Sequence, residues 1–208
     1  MKPLWIARQS RHPAGWLGEV VARVMSFETR PANAFALAQL PVERHHAVLE
    51  IGCGHGRTLA QLAHRAAEGF VAGIDPSDVM VRLATRRLRS AIDRGRADVR
   101  RAEAAQLPFE DARFDAALAV HVLHFWPDPS VELREIHRVL RPGGALVLGF
   151  RPDDRGARTS LPDSVYHLRP LPEIEKLLRE AGFEQPRAAE KPSGGPFMCL
   201  SARVTAHR

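Results

Sequence analysis

Three glycines stand at alternating positions in the segment VLEIGCGHGRTLAQLA, and an acidic residue, Glu50, precedes them. Gly52, Gly54 and Gly56 let the backbone turn tightly and let a ligand approach without interference from a Cβ atom. A dinucleotide fingerprint would carry its third glycine one position later, where this chain has Arg57. A Walker loop is also excluded, because no Gly-Lys-Ser/Thr follows. The segment therefore predicts a loop that binds a nucleotide-type ligand but is neither a dinucleotide fingerprint nor a Walker loop.

Two further acidic residues end the next two predicted strands. Asp75 lies 23 residues after Gly52, and a carboxylate there accepts hydrogen bonds from the ribose hydroxyls of an adenosine ligand. The alternative is that Asp75 caps the helix that follows. Glu103 ends the third strand, where its carboxylate can accept from the exocyclic amine of adenine. The alternative for Glu103 is an ordinary exposed surface residue.

These residues would be brought together by a doubly wound sheet. Apolar strands alternate with amphipathic helices, which indicates right-handed βαβ units and a mainly parallel sheet with helices on both faces. A short Gly-Gly turn joins the last two strands, so the final strand should run antiparallel to the rest. The ligand of such a sheet lies outside the carboxyl ends of the strands. The predicted strands are 47–52, 69–75, 98–104, 113–122, 144–150, 183–190 and 197–204; the predicted helices are 56–68, 77–94, 128–140 and 171–182, with two more helical pieces within 13–40.

The composition is that of an ordinary globular protein of one domain. The 208 residues are 45% hydrophobic and carry a net charge of +6. We attribute this net positive charge to solvent-facing arginines rather than to a nucleic-acid partner. The two cysteines, Cys53 and Cys199, indicate neither a disulfide framework nor a zinc site, and we assign no metal ligands. Because the N-terminus lacks the apolar core of a signal peptide and no run could span a bilayer, we expect a cytoplasmic protein.

Taken together, the motifs resemble a known family. They are VLEIGCGHG, GIDPSDVMVRLA and AEAAQLPFEDARFDAALAVHVLHFWPDPSVELREIHRVLRPGGALVLGF. They strongly resemble the class I S-adenosylmethionine-dependent methyltransferases, and most closely the type 11 group, which includes the ubiquinone and menaquinone C-methyltransferases. The resemblance implies a Rossmann-like α/β fold over 1–208, with a seven-stranded, mainly parallel sheet. It also implies an N-terminal helical lid (1–45), a cofactor-binding core (46–150) and a substrate-side segment (151–208).

The resemblance further implies S-adenosylmethionine as cofactor and assigns residues to it. Asp75 would bind the ribose hydroxyls, and Cys53 would be loop filler rather than a nucleophile. Family members usually have Asp where this chain has Glu103, so the longer side chain would reach the adenine amine differently. The implied cofactor-binding residues are Glu50, Gly52, Cys53, Gly54 and Gly56 in the first loop, Asp75, Pro76 and Ser77 after the second strand, Glu103 and Ala104 after the third, and Val120 and His121 after the fourth.

The implied reaction is methyl transfer by in-line displacement, with release of S-adenosylhomocysteine. An enzyme contributes to this reaction mainly by aligning the nucleophile, the methyl group and the sulfur and by excluding water. A base is needed only where the acceptor must lose a proton. His121 is the candidate base, since histidine titrates near neutral pH; the alternative is that it only packs or hydrogen-bonds. His124, Tyr166 and His167 are candidate substrate residues. Trp126 is expected either to stack on adenine or to anchor the following helix.

We expect the acceptor to be a small molecule, anionic or aromatic. The segment after the fourth strand lacks three sequence features. These are the [DNS]-P-P-[FYW] motif of DNA and RNA amino-group methyltransferases, the nucleophilic cysteine of cytosine enzymes, and the paired glutamates of protein arginine methyltransferases. An anionic acceptor is suggested by four arginines, Arg151, Arg155, Arg158 and Arg169, although loop arginines are often only solvated. Two alternatives stay open: an RNA-directed methyltransferase, and a catalytically silent regulator that binds S-adenosylmethionine.

Overall fold

The computed structural model describes residues 29–153, 162 and 164–205, and the elements below are numbered within that part of the chain. The strands are β1 (Ala47–Ile51), β2 (Phe70–Asp75), β3 (Ala97–Arg101), β4 (Phe114–Val120), β5 (Leu140–Phe150), β6 (Phe183–Glu190) and β7 (Met198–Val204). The helices are α1 (Arg30–Gln39), α2 (Arg57–Arg65), α3 (Asp78–Asp93), α4 (Pro129–Val139) and α5 (Leu171–Glu180), with a short 3₁₀ turn at Leu123–Phe125. The first predicted helical piece of the lid, and Arg155 and Arg158, lie outside the described residues.

The seven strands form one sheet in the order β3-β2-β1-β4-β5-β7-β6. Strands β1 to β5 are all parallel to one another. β7 lies antiparallel between β5 and β6, so β6 runs with the first five strands and only β7 is reversed. The predicted doubly wound sheet with an antiparallel final strand is therefore confirmed.

The predicted strands and helices that fall on described residues are all present, but the start of β5 was predicted wrongly. We expected that strand to begin at residue 144, after the Arg-Pro-Gly-Gly stretch. In the structure it begins at Leu140, which pairs with Phe114 before a register shift brings Ala145 opposite Ala116. Gly143 has a φ of 79°, a left-handed conformation that glycine adopts at little cost. The glycine stretch is thus a bulged part of the strand rather than a loop before it.

Apolar side chains cover both faces of the sheet. Every residue of β1 is buried, as expected for a central parallel strand with helices on both sides. Helices α4 and α5 pack on one face, and α1, α2 and α3 pack on the other. This double cover holds the carboxyl ends of the central strands in place.

The chain order of the strands reverses at β1, whose neighbours are β2 and β4. Open α/β sheets bind their ligands at such a switch point, outside the carboxyl ends of the strands. The helix after β2 is capped by Ser77, whose hydroxyl accepts a hydrogen bond from the Met80 N–H at 3.4 Å. No helix within the described ranges is long and apolar enough to cross a membrane.

Candidate active site

A cavity of about 480 Å³ opens at the carboxyl ends of β1, β2 and β4. Its volume lies in the usual range for small-molecule sites. The wall is built from the glycine loop after β1, the loops after β2, β3 and β4, the first turns of α1 and α2, and the turn between β6 and β7. The cavity therefore occupies the position that the strand order predicts for the ligand.

The glycine loop is held against β2 and leaves open space in the cavity. The N–H groups of Gly52 and Cys53 both donate to the Ile74 carbonyl oxygen at 2.9 Å. Gly52 has a φ of 70°, and a Cβ there would lie 2.3 Å from Cγ1 of Val122. A Cβ on Gly54, whose φ is 53°, would meet nothing within 4 Å. Because Gly54 lies in the cavity wall, this space allows a ligand to approach the backbone.

The carboxylate of Asp75 is fixed by two backbone groups. Its Oδ2 accepts from the Gly54 N–H at 3.0 Å, and its Oδ1 accepts from the Ser77 N–H at 2.9 Å. The helix cap is Ser77, so the alternative in which Asp75 is the cap is wrong. Asp75 is only 7% exposed, and a carboxylate oxygen can accept more than one hydrogen bond. The residue can therefore hold the loop and still accept from a ligand.

Glu50 places a second carboxyl group at the end of β1, where it is 5% exposed. Its Oε2 has no hydrogen-bond partner among the described residues. Burial and then the negative charge of Asp75 raise the pKa of Glu50 well above its usual range, while the Leu59 N–H acts in the opposite direction. An unpaired buried carboxyl oxygen is costly unless a ligand supplies a donor or a cation.

Cys53 carries a buried thiol in the same loop. Burial, followed by the charges of Glu50 and Asp75, raises the pKa of this thiol well above its usual value. A thiol nucleophile acts as the thiolate, so Cys53 is not suited to attack. Its Sγ lies 3.8 Å from the Gly54 carbonyl oxygen, consistent with a packing role.

His121 follows β4 in a left-handed conformation, with a φ of 60°, which is uncommon for a residue other than glycine. Its N–H donates to the Gly149 carbonyl oxygen at 2.8 Å, and its ring lies 4.9 Å from that of Phe197, measured between centroids. Burial and then the charge of Arg151 lower the pKa of His121 to about 4. Nε2 has no partner within the described part of the chain. The imidazole is thus neutral near pH 7 and can offer a lone pair at Nε2.

Further aromatic rings line the cavity near the 3₁₀ turn. The centroid of the His124 ring lies 4.3 Å from that of Phe125 and 5.1 Å from that of Tyr166. Phe125 and Tyr166 are 5.3 Å apart, so the three rings form one cluster. The His167 N–H donates to the His124 carbonyl oxygen at 2.7 Å. These contacts give part of the cavity a flat, apolar wall.

Positive charge gathers where α2 begins. Arg57 lies in the cavity wall, and its Nε is buried with no hydrogen-bond partner in the described ranges. Burial and the charges of Arg30 and Arg87 lower the pKa of Arg57. Nδ1 of His55 lies 3.2 Å from Nη1 of Arg87. Burial and the two arginines 57 and 87 lower the pKa of this histidine to about 4, so it adds no charge near pH 7. This corner of the cavity suits an anionic group.

Sequence comparison identifies the family to which this fold and cavity belong. Residues 49–148 match the family model described as a methyltransferase domain. The chain is 34% identical to the 27-O-demethylrifamycin SV methyltransferase of Amycolatopsis mediterranei (strain S699) over 185 residues, which cover 85% of this chain and 67% of that protein. The chain belongs to the class I S-adenosylmethionine-dependent methyltransferases of type 11.

Two more proteins are similar to this methyltransferase. The O-methyltransferase cnsE of Penicillium expansum is 34% identical over 154 residues, covering 69% of this chain and 54% of that protein. The chain thus spans about half to two thirds of the length of these two sequence relatives. A chain in the complex between the Haloferax volcanii Trm112 methyltransferase activator and the putative methyltransferase superposes with a TM-score of 0.78. It is 20% identical, covers 92% and 96% of the two chains, and shows the same fold.

The cofactor of this methyltransferase is S-adenosylmethionine, and the residues of the cavity fit its chemistry. The molecule carries an ammonium group, a carboxylate, a ribose and an adenine amine. The cavity offers a buried, unpaired carboxyl oxygen on Glu50, a guanidinium on Arg57 and the carboxylates of Asp75 and Glu103. It also offers open backbone at Gly54.

Most of the predicted site residues lie together in the cavity wall. They are Glu50, Gly52, Cys53, Gly54, Asp75, Pro76, Glu103, Ala104, Val120, His121, His124 and Tyr166. Three others are not in that wall, and their predicted contacts with the cofactor or acceptor stay predictions. Gly56 turns the chain into α2, where a Cβ would lie 2.9 Å from Cα of Ala84, and Ser77 caps α3. His167 lies in a small recess that adjoins the cavity, since His124, Arg151 and Leu168 line both.

Several residues of the wall were not predicted from the sequence. Glu132 could have been noticed, because it falls on the apolar stripe of α4, and Arg57 directly follows the glycine loop. Lys191 and Phe197 come from the turn between β6 and β7, and only the strand order reveals that this turn reaches the cavity. Trp126 both lines the cavity and packs in the core, so stacking on adenine stays a prediction beside its packing role.

Proposed function

We propose that this methyltransferase transfers a methyl group to a hydroxyl oxygen of a small acceptor that is aromatic, anionic or both. One observation carries the proposal: the neutral His121 has an unpaired Nε2 in the cavity wall. S-adenosylmethionine supplies a methyl group bonded to a positively charged sulfur, which opens that carbon to in-line displacement. A hydroxyl that loses its proton during transfer needs a base, and a neutral imidazole with an available lone pair can be that base.

At the donor end, four charged side chains can hold the parts of the cofactor. Glu50 would pair with the ammonium group, whose positive charge favours the ionised carboxyl group, and Arg57 would pair with the carboxylate, because each presents an unpaired buried atom. Asp75 would accept from the ribose hydroxyls while it keeps its bonds to the loop. Glu103 would accept from the adenine amine. Charge-assisted hydrogen bonds of this kind are the stronger ones in proteins.

At the acceptor end, the wall combines flat rings with positive charge. The cluster of His124, Phe125 and Tyr166 suits an aromatic ring, which packs favourably against other rings. The side chains of Arg151 and Lys191 also line the cavity and would attract a carboxylate or phenolate. This combination supports an acceptor that carries both features.

His121 would position the acceptor hydroxyl and take its proton at Nε2 while the oxygen–carbon bond forms and the carbon–sulfur bond breaks. A pKa of about 4 makes this imidazole a weak base, so it takes the proton only as the forming oxygen–carbon bond acidifies the hydroxyl, and it then returns that proton readily to water. The contact with Phe197 and the backbone bond to Gly149 fix the ring during this step. An acceptor that is already ionised, such as a carboxylate, would not need the base.

The relatives and the cysteines support two further parts of the proposal. One sequence relative is named as the 27-O-demethylrifamycin SV methyltransferase and the other as an O-methyltransferase. These names favour an active enzyme with a small-molecule acceptor over an RNA-directed enzyme and over a silent regulator. Cys53 and Cys199 are both free, which suits a reducing compartment such as the cytoplasm.

We also propose that residues 46–150 hold the cofactor, residues 151–208 contact the acceptor, and residues 1–45 cover the site.

The proposal is tested by measuring S-adenosylhomocysteine release with phenols, phenolic acids, aliphatic carboxylic acids and tRNA. We expect turnover with hydroxylated aromatic compounds and none with tRNA. His121→Asn should lower transfer to a phenol about 100-fold, and should affect a carboxylate acceptor much less. His64→Asn, on the exposed face of α2, is the matched control. Turnover with tRNA alone, or a His121→Asn variant as active on phenols as the wild type, would contradict the proposal.

A further inference from the structure

Glu132 is a carboxylic acid on the buried face of a helix. The buried residues of α4 are Pro129, Glu132, Leu133, Ile136 and Val139, and Glu132 is more than nine-tenths buried, at 8% exposure. Spacings of three and four place it on the same stripe as the apolar side chains that pack on the sheet. An apolar side chain would pack at this position without any desolvation cost, so the presence of a buried carboxyl group here needs a physical explanation.

The carboxyl group of Glu132 is only partly satisfied by the protein. Its Oε2 is buried and has no hydrogen-bond partner among the described residues. Burial raises the pKa of Glu132, and the charges of Asp128 and Glu103 act in the same direction. Its own backbone N–H and the charge of Arg169 act in the opposite direction. Either protonation state keeps an oxygen that can accept a hydrogen bond.

The neighbouring arginine does not supply the missing donor. Arg169 donates to the carbonyl oxygens of Trp126, Pro127 and His167, and it pairs with Glu173 at 3.0 Å. Its guanidinium is therefore committed to the loop after the 3₁₀ turn and to α5. The remaining side of Glu132 belongs to the cavity wall, so a ligand in the cavity is the available source of a donor.

Glu132 lines the same cavity as the residues that the proposed donor site assigns to the adenine. Ala102, Glu103, Ala104 and Trp126 also line the wall, and Glu103 is close enough for its charge to act on Glu132. When both are ionised, two carboxyl groups that line the same cavity form a site made only of acceptors. An exocyclic amine has two N–H bonds and matches such a site, whereas a carbonyl oxygen in the same place would be repelled.

We propose that Glu132 and Glu103 each accept one N–H of the adenine amine, so that this methyltransferase selects a 6-amino purine over a 6-oxo purine. The inference rests on the donor site proposed above. Glu132 then determines specificity in the donor site, and ligand binding satisfies its otherwise unpaired oxygen. Sites built to hydrogen-bond a particular polar group reject analogues that lack it far more strongly than apolar pockets do.

The test compares two ligands by calorimetry, S-adenosylhomocysteine and its 6-oxo analogue, S-inosylhomocysteine. We expect the wild type to bind the amino form at least about 50-fold more tightly. Glu132→Gln should reduce this ratio to about tenfold or less, because an amide can donate to a 6-oxo group as well as accept from an amine. Glu132→Leu suits the apolar stripe, so it should fold and should lower the ratio too. Glu180→Gln, on α5 and outside the cavity wall, is the control for the same substitution.

The outcomes separate this inference from the proposed function. Binding of the amino form by the wild type, with a ratio that falls in both Glu132 variants and not in the control, supports the inference. An unchanged ratio in both variants would overturn it, even if both ligands bound more weakly by the same factor. A wild type that binds neither ligand would overturn the donor site itself and the inference with it.

Discussion

Replacing His121 by asparagine should change how the stability of the fold depends on pH. In the folded chain, burial and the charge of Arg151 lower the pKa of His121 to about 4, whereas an unfolded histidine titrates near 6.5. Between these two values the unfolded chain binds more protons than the folded chain. The free energy of unfolding must therefore fall as the pH falls through this window.

The size of the effect follows from the two pKa values. Between pH 7.5 and pH 5.0, a folded pKa of about 4 and an unfolded value of about 6.5 give a loss of about 2 kcal/mol that belongs to His121 alone. His55 has a similarly lowered pKa, but its contribution is the same in both proteins and cancels. Asparagine tolerates the left-handed backbone at this position and does not titrate, so it removes the loss without adding strain.

Urea unfolding at pH 7.5, 6.5, 5.5 and 5.0 measures this difference directly. The wild type should lose about 2 kcal/mol more stability than His121→Asn over that range. His64→Asn, at an exposed position of α2, reports what the substitution does away from the cavity. Parallel curves for the wild type and His121→Asn would refute the reasoning, because a buried imidazole kept neutral by its surroundings must show this dependence.

Three more predictions concern the loops at the carboxyl ends of β1 and β2. Asp75→Asn should weaken S-adenosylhomocysteine binding by about 1–3 kcal/mol, measured by calorimetry, while the exposed control Asp93→Asn should not. Gly52→Ala should lower the melting temperature more than Gly95→Ala, because both have a positive φ but only at Gly52 would the methyl group clash with a valine; equal losses would contradict this. Arg57→Gln should weaken binding of S-adenosylmethionine about tenfold and leave binding of its decarboxylated form unchanged; equal weakening of both would exclude the carboxylate contact.

The strands and helices could be predicted because burial and periodicity act locally. A fully buried central strand such as β1 is a continuous apolar run, and α3 shows its start through the capping Ser77. The start of β5 could not be predicted in this way. It depends on the pairing of Leu140 with Phe114, which is a contact between distant parts of the chain that no local pattern contains.

The placement of residues in one cavity could be predicted where they follow strands, but not where the sheet order decides it. Glu50 and Asp75 end neighbouring parallel strands, so their proximity follows from the fold class alone. Lys191 and Phe197 reach the cavity only because β7 lies beside β5, and the sequence does not specify that order. His167 follows the cavity residue Tyr166 and yet is not in the cavity wall itself, so its contact with the acceptor stays a prediction.

The most direct test of the account is a calorimetric titration of the wild type with S-adenosylhomocysteine. We predict saturable binding at one site per chain, since the unpaired atoms of Glu50 and Arg57 and the carboxylate of Asp75 each have a matching group on that ligand. NAD⁺ should not bind, because the loop lacks the third glycine of the dinucleotide fingerprint. A flat titration with S-adenosylhomocysteine, or saturable binding of NAD⁺ in its place, would contradict the central claim.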